Sequence, residues 1–173
     1  SRARISELCS LLGTTFDTEI FESQAGPVGT ELVRTHIASG VFEESDGAVV
    51  YRGDKKGFHT RVFLNSQGLP TYEAKDLGNF SIKQKTYPSW TQAAVVTGSE
   101  QTEYFKVMIA ALRDVFPEIG SKVIEHIPTG FLTLTTGKMS SRKGNVLTGE
   151  TLIEELRTEA IVRAAETRTD DVQ

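Results

Sequence analysis

Residues 137 to 144 read Gly137-Lys138-Met139-Ser140-Ser141-Arg142-Lys143-Gly144, which places three cations and two hydroxyls between two glycines. Glycines let the backbone swing, serines offer short donors, and Lys138, Arg142 and Lys143 can meet charge developing on a polyphosphate. By composition alone the plainer reading of the same stretch is a solvated basic turn. A second set is Tyr72 and Asp76, four residues apart, which share a face on a helix and can meet one small ligand. The alternative is that Tyr72 packs while Asp76 is solvated or pairs with a neighbouring cation. A third set, Gly98, Ser99 and Gln101, follows an apolar run ending at Thr97. In open α/β sheets, ligands bind beyond the carboxyl ends of such strands. His36 has no second histidine, cysteine or carboxylate at ligand spacing, so metal binding there is not expected.

The elements that would position these groups follow from periodicity. Residues 2 to 12 place Ile5, Leu8, Cys9 and Leu12 on one helical face, with Gly13 as the stop. Phe16, Thr18 and Ile20 alternate with Asp17 and Glu19, which predicts a short strand running to Glu22. Val28, Leu32, Val33 and Ile37 predict a helix over 27–39, with Pro27 near its start and Gly40 at its end. Asp46-Gly47 and the 53–57 turn flank short strands at 48–52 and 61–65, a small β-ribbon. A turn over 66–70 puts Pro70 where the next helix could begin. The run 93–97, a glycine turn, a helix bearing Phe105, Met108, Ile109, Leu112 and Phe116, and a second β-rich run over 122–127 make a parallel βαβ unit. Leu152, Ile153, Leu156, Ala160, Ile161 and Ala164 mark a final amphipathic helix, with Glu159 and Arg163 paired on its outer side. Residues 169 to 173 are expected to fray, and the sequence contains no repeat.

Composition narrows the class. The chain has 173 residues, 38% of them hydrophobic, and a net charge of −4. That balance argues against binding nucleic acid by bulk electrostatics, so any RNA contact would be local. Cys9 is the only cysteine, which excludes an internal disulfide and a cysteine-rich zinc site. No apolar run approaches the ~20 residues that span a bilayer, and the start lacks the apolar core of a secretory signal. A cytoplasmic chain with no membrane partner is the expectation. Both ends fall in helix-like segments, as in a chain cut from something longer.

Order carries more than composition. Lys138-Met139-Ser140-Ser141-Arg142 followed by Lys143-Gly144-Asn145 resembles the second signature of class I aminoacyl-tRNA synthetases, in the form that ends in arginine. Phe16-Asp17 with Glu22-Ser23, then Glu44-Ser45-Asp46-Gly47-Ala48, then Gly68-Leu69-Pro70-Thr71-Tyr72 with Asp76-Leu77-Gly78, then Gly98-Ser99-Glu100-Gln101 are, in that order, similar to landmarks of the arginyl-tRNA synthetase family. The resemblance implies an α/β fold: the second half of a Rossmann-like class I catalytic domain, with a small α+β insertion. It implies a connecting insertion at 1–66 and the second half of the nucleotide-binding fold at 67–173.

The resemblance also implies roles. Glu22, Tyr72 and Asp76 would hold the guanidinium of L-arginine, and Gln101 its α-amino end. Gly98 and Gln101, with Lys138, Met139, Ser140, Ser141 and Arg142, would meet ATP, with Mg2+ as its companion. Lys138, Ser140 and Ser141 would be catalytic, stabilising phosphates while the arginine carboxylate attacks the α-phosphate. Arginine-specific tRNA would be the acceptor. The family's first signature, His-Ile-Gly-His, is absent from these 173 residues; His36-Ile37 is followed by Ala38-Ser39. The chain is therefore expected to be inactive by itself, the alternative being a non-catalytic module of the same fold that binds arginine or nucleotide.

Overall fold

A computed structural model describes residues 2–130 and 148–170, with side chains described as far as Glu166. The basic loop at 137–144 and the end at 171–173 lie outside the described residues. The chain divides into two compact units, Ser1–Thr18 with Leu132–Gln173, and Glu19–Phe131.

In the first unit, α1 (Arg2–Leu11) stops before Gly13, whose φ of 67° only glycine adopts freely. Helix α5 (Gly149–Asp170) begins where the Thr148 hydroxyl accepts the Thr151 N–H at 3.2 Å, a side-chain cap. Arg4 ties the helices together, donating to Glu150 at 2.6 Å and to Glu7 at 2.9 Å. The Glu159–Arg163 pair forms at 2.9 Å, as expected. Part of the apolar stripe of each helix is exposed, Ile5 on α1 and Leu156 and Ile161 on α5, while Leu8, Cys9, Leu152 and Ile153 are half-buried.

The second unit holds the core. Strands β1 (Glu43–Ser45), β2 (Ala48–Tyr51) and β3 (Arg61–Leu64) form an antiparallel sheet in that order. Asp46 and Gly47, both at positive φ, close the first hairpin. Helices α2 (Glu22–Thr35), α3 (Tyr72–Thr86) and α4 (Thr102–Val115) pack with this sheet around Phe42, Phe63, Leu64, Leu77, Val107 and Met108, each at most 2% exposed. Strands β4 (Gln92–Gly98) and β5 (Val123–Thr129) pair in parallel through α4, in register Gln92↔Val123 to Gly98↔Thr129. The expected βαβ unit is present.

Two expectations are corrected. No strand forms before Glu22; Phe16 is 66% exposed, and an unpaired strand would leave its N–H and C=O groups without ladder partners. Helix α2 instead starts at Glu22, ahead of Pro27, because Gln24 Oε1 accepts the Phe21 N–H at 2.9 Å while the Phe21 carbonyl accepts from the Gln24 and Ala25 amides. Pro27 is accommodated inside the helix. The helix also ends earlier than expected, at Thr35, with His36 Nδ1 lying 2.8 Å from the Leu32 carbonyl.

Helices α2 and α3 meet backbone to backbone. Ala25 and Gly29 on one face Ala74 and Gly78 on the other; a Cβ on Gly29 would stand 1.7 Å from the Ala74 carbonyl oxygen. Gly29→Ala is expected to destabilise the fold by roughly 1–3 kcal/mol, since overpacking outweighs the ~1 kcal/mol that alanine gains as a helix former. Gly26→Ala is the control: its Cβ would meet Pro70 at an ordinary 3.6 Å. Urea midpoints of the two variants, measured side by side, check this; equal midpoints would mean that the helices part freely.

Candidate functional site

The polar groups gather where α3 and α4 begin. Thr71, the residue before α3, ties the helix start to the sheet, its hydroxyl donating to the Val62 carbonyl at 2.7 Å. This fixes the helix start and so the direction of Asp76, one turn along. Asp76 is half-buried and accepts a hydrogen bond from the Tyr104 hydroxyl at 2.5 Å. Burial pushes the Asp76 carboxyl up, the Tyr104 hydrogen bond works against that rise, and nearby Glu73 and Glu22 add to it. Burial and the Asp76 carboxylate both push the Tyr104 hydroxyl up, so it keeps its proton and acts as the donor. Asp76 also stands at the rim of a cavity of about 660 Å3 between α3, α4 and β4, walled by Phe80, Trp90, Phe105 and Met108.

Glu22 opens α2, and its carboxylate accepts from Lys75 Nζ at 2.6 Å. The same ammonium lies 5.0 Å from the centre of the Tyr72 ring, which is 71% exposed. Tyr72 therefore does not pack into the core. Glu22, Tyr72 and Lys75 form one cluster, and Asp76, next to Lys75 in α3, lies within electrostatic reach of Glu22. Gly98 ends β4, and a Cβ there would meet the Glu100 carboxylate at 2.3 Å. Gln101 lies at the N-cap position of α4, with Tyr104 in the first turn beyond it. Gly98 is the last residue of the parallel strand β4 and Gln101 follows it before α4, so both lie at the strand's carboxyl end, where the sequence put them. Lys138, Met139, Ser140, Ser141 and Arg142 lie outside the described residues. Among the described residues no group of three His, Cys, Asp or Glu side chains is arranged to hold a metal.

Tyr104 and Lys75 were not singled out from sequence. Tyr104 flanks the apolar stripe of α4 just after Gln101, and a tyrosine at such an edge is the kind that needs a partner for its hydroxyl. Lys75 carried no signal, because its partner is remote in the chain.

A parallel strand–helix–strand unit with polar groups at the carboxyl end of its first strand is the arrangement at which open α/β sheets bind ligands. The family model described as tRNA synthetases class I (R), catalytic domain, matches residues 11–173, and the chain belongs to that family. It is 33% identical over 168 residues to an arginine–tRNA ligase of Streptococcus mutans, covering 95% of this chain and 28% of that protein. It is 31% identical over 163 residues to an arginine–tRNA ligase of Treponema denticola, covering 94% of this chain and 27% of that protein. The crystal structure of arginyl-tRNA synthetase from Plasmodium falciparum shares the fold, with a TM-score of 0.74 at 16% identity, over 100% of this chain and 29% of that one. The chain thus spans about a quarter of the length of the curated relatives it matches. The fold is that of a class I synthetase catalytic domain. No described helix is long and apolar enough to cross a membrane.

Proposed function

We propose that the chain is part of an arginine–tRNA ligase and forms one side of its adenylation site. A carboxylate oxygen of arginine attacks the α-phosphorus of ATP, pyrophosphate leaves, and the arginyl group then passes from AMP to a terminal ribose hydroxyl of tRNA. This chemistry needs alignment and charge stabilisation more than proton transfer. Asp76, Glu22 and Tyr72 hold the guanidinium, and Gln101 the α-amino end. Gly98 and Gln101 border the nucleotide, which Lys138, Met139, Ser140, Ser141 and Arg142 meet through its phosphates. Mg2+ enters as the ion that accompanies ATP. Residues 1–66 form the connecting insertion and 67–173 the second half of the nucleotide fold; α2 and α3 pack on one another across that division. A cytoplasmic setting belongs to the same proposal.

The family match over residues 11–173 is the observation that carries this function. Its test is arginine-dependent pyrophosphate exchange by the full-length polypeptide that contains the chain. Exchange is expected there, and none above a denatured control is expected from the 173 residues alone, because preorganised electrostatics need both sides of the nucleotide site. A full-length protein that binds arginine without exchange would be a binding module instead. Exchange by the 173 residues alone would show that the missing signature is dispensable.

A further inference from the structure

We propose that Tyr104 is a positioning residue for arginine recognition: its hydroxyl, 2.5 Å from Asp76 Oδ2, sets the plane in which the Asp76 carboxylate meets the guanidinium. The proposal rests on the assignment of Asp76 to the substrate. A carboxylate has about four acceptor directions, so one hydrogen bond from Tyr104 leaves both oxygens able to take the guanidinium fork. Without that bond the carboxylate turns freely about its last torsion, which is broad and weakly restrained.

The Tyr104 ring is itself held from two sides. Its ring meets Phe105 edge to face at 5.1 Å, and Phe105 stacks on His126 at 4.5 Å. The Arg61 guanidinium lies 5.5 Å from the Tyr104 ring centre, and Arg61 pairs with Glu73 at 3.5 Å. Side chains of α4 and β3 thus hold the ring, with His126 of β5 behind Phe105 and Glu73 of α3 behind Arg61. Arg61 Nε is buried without a hydrogen-bond partner, so this guanidinium is placed by its ring and Glu73 contacts.

The charged groups around Asp76 make the consequence measurable. Glu73 from α3 and Glu22 from α2 disfavour its ionised form, Lys83 from α3 favours it, and the Tyr104 hydrogen bond from α4 favours it most. Arginine binds the ionised carboxylate, so binding is lost as pH falls through the Asp76 titration. Removing the hydroxyl leaves burial less opposed, and the loss then begins at a higher pH.

Tyr104→Phe in the full-length ligase keeps the ring contacts and removes only the donor. The arginine KM is expected to rise by about tenfold or more, the size of a hydrogen bond to a charged group, with ATP KM unchanged. The acid limb of arginine kcat/KM is expected to move to higher pH. Both KM values are independent of the fraction of molecules that folded, so misfolding cannot imitate the result. If Asp76→Asn abolishes arginine use while Tyr104→Phe leaves arginine KM within about threefold and the acid limb in place, Tyr104 has no positioning role. A lower rate with both KM values unmoved would also overturn it, in favour of a purely structural tyrosine. If Asp76→Asn changes nothing, the pocket assignment falls first, and the role of Tyr104 with it.

Discussion

Asp76→Asn in the full-length ligase is expected to lower arginine kcat/KM by roughly two to four decades while leaving ATP KM within about threefold. Lysine has similar length and the same charge as arginine, so charge alone cannot select between them. A guanidinium presents donors in a planar fork, and a carboxylate can take two of them in parallel where an ammonium cannot match the geometry. Asparagine preserves the shape but removes the charge and turns a donor toward donors. The change should not unfold the protein. Burial raises the Asp76 carboxyl in the folded state, so its protonated form is the one that favours folding. That contribution is full below the unfolded value of about 3.9 and is lost as pH rises through the folded one. At neutral pH the ionised group therefore works against the fold, and Asp76→Asn should unfold at a temperature no lower than the parent. Glu155→Gln, at an exposed carboxylate on α5, is the control. Pyrophosphate exchange with arginine and ATP varied separately decides it. Arginine kcat/KM within about threefold of the parent removes Asp76 from the pocket.

Lys138→Ala is expected to slow adenylation by ~10²-fold or more with little change in arginine KM, the scale of losing one transition-state donor. The prediction comes from residue order, since Lys138 opens the Lys-Met-Ser-Ser-Arg run and lies outside the described residues. Lys143→Ala, in the same run of charge, should cost less. Single-turnover rates at saturating arginine separate the chemical step from binding. If both lysines cost the same, the loop acts through bulk charge and not through a placed contact.

Much of this was legible because it is local. Alternation and turn chemistry marked the ribbon around Asp46-Gly47, and an apolar run followed by Gly98 and an amphipathic helix marked β4–α4–β5. The misreading around Glu22 has a physical cause: Phe16, Thr18 and Ile20 alternate as a strand would, but nothing in their spacing says whether a neighbour exists to pair with. Pro27 pointed to a helix start, yet the side chain of Gln24 supplied the cap. At the site, Tyr72, Asp76, Gly98 and Gln101 could be singled out, whereas Tyr104 and Lys75 act through contacts made only when α4 meets α3 and α2 meets α3. The small residues at Ala25, Gly29, Ala74 and Gly78 were also silent, because each pair has meaning only against the other.

That last contact has a consequence for motion. Where two helix backbones touch, neither can open its amides while the other stays in place, so the amides of α2 and α3 nearest Gly29 and Gly78 are expected to exchange with solvent together, as one cooperative unit. Glu22 begins one of these helices and Asp76 belongs to the other. Their backbones therefore ride on a single body, and the separation of the two residues' Cα atoms is set by the helix contact itself.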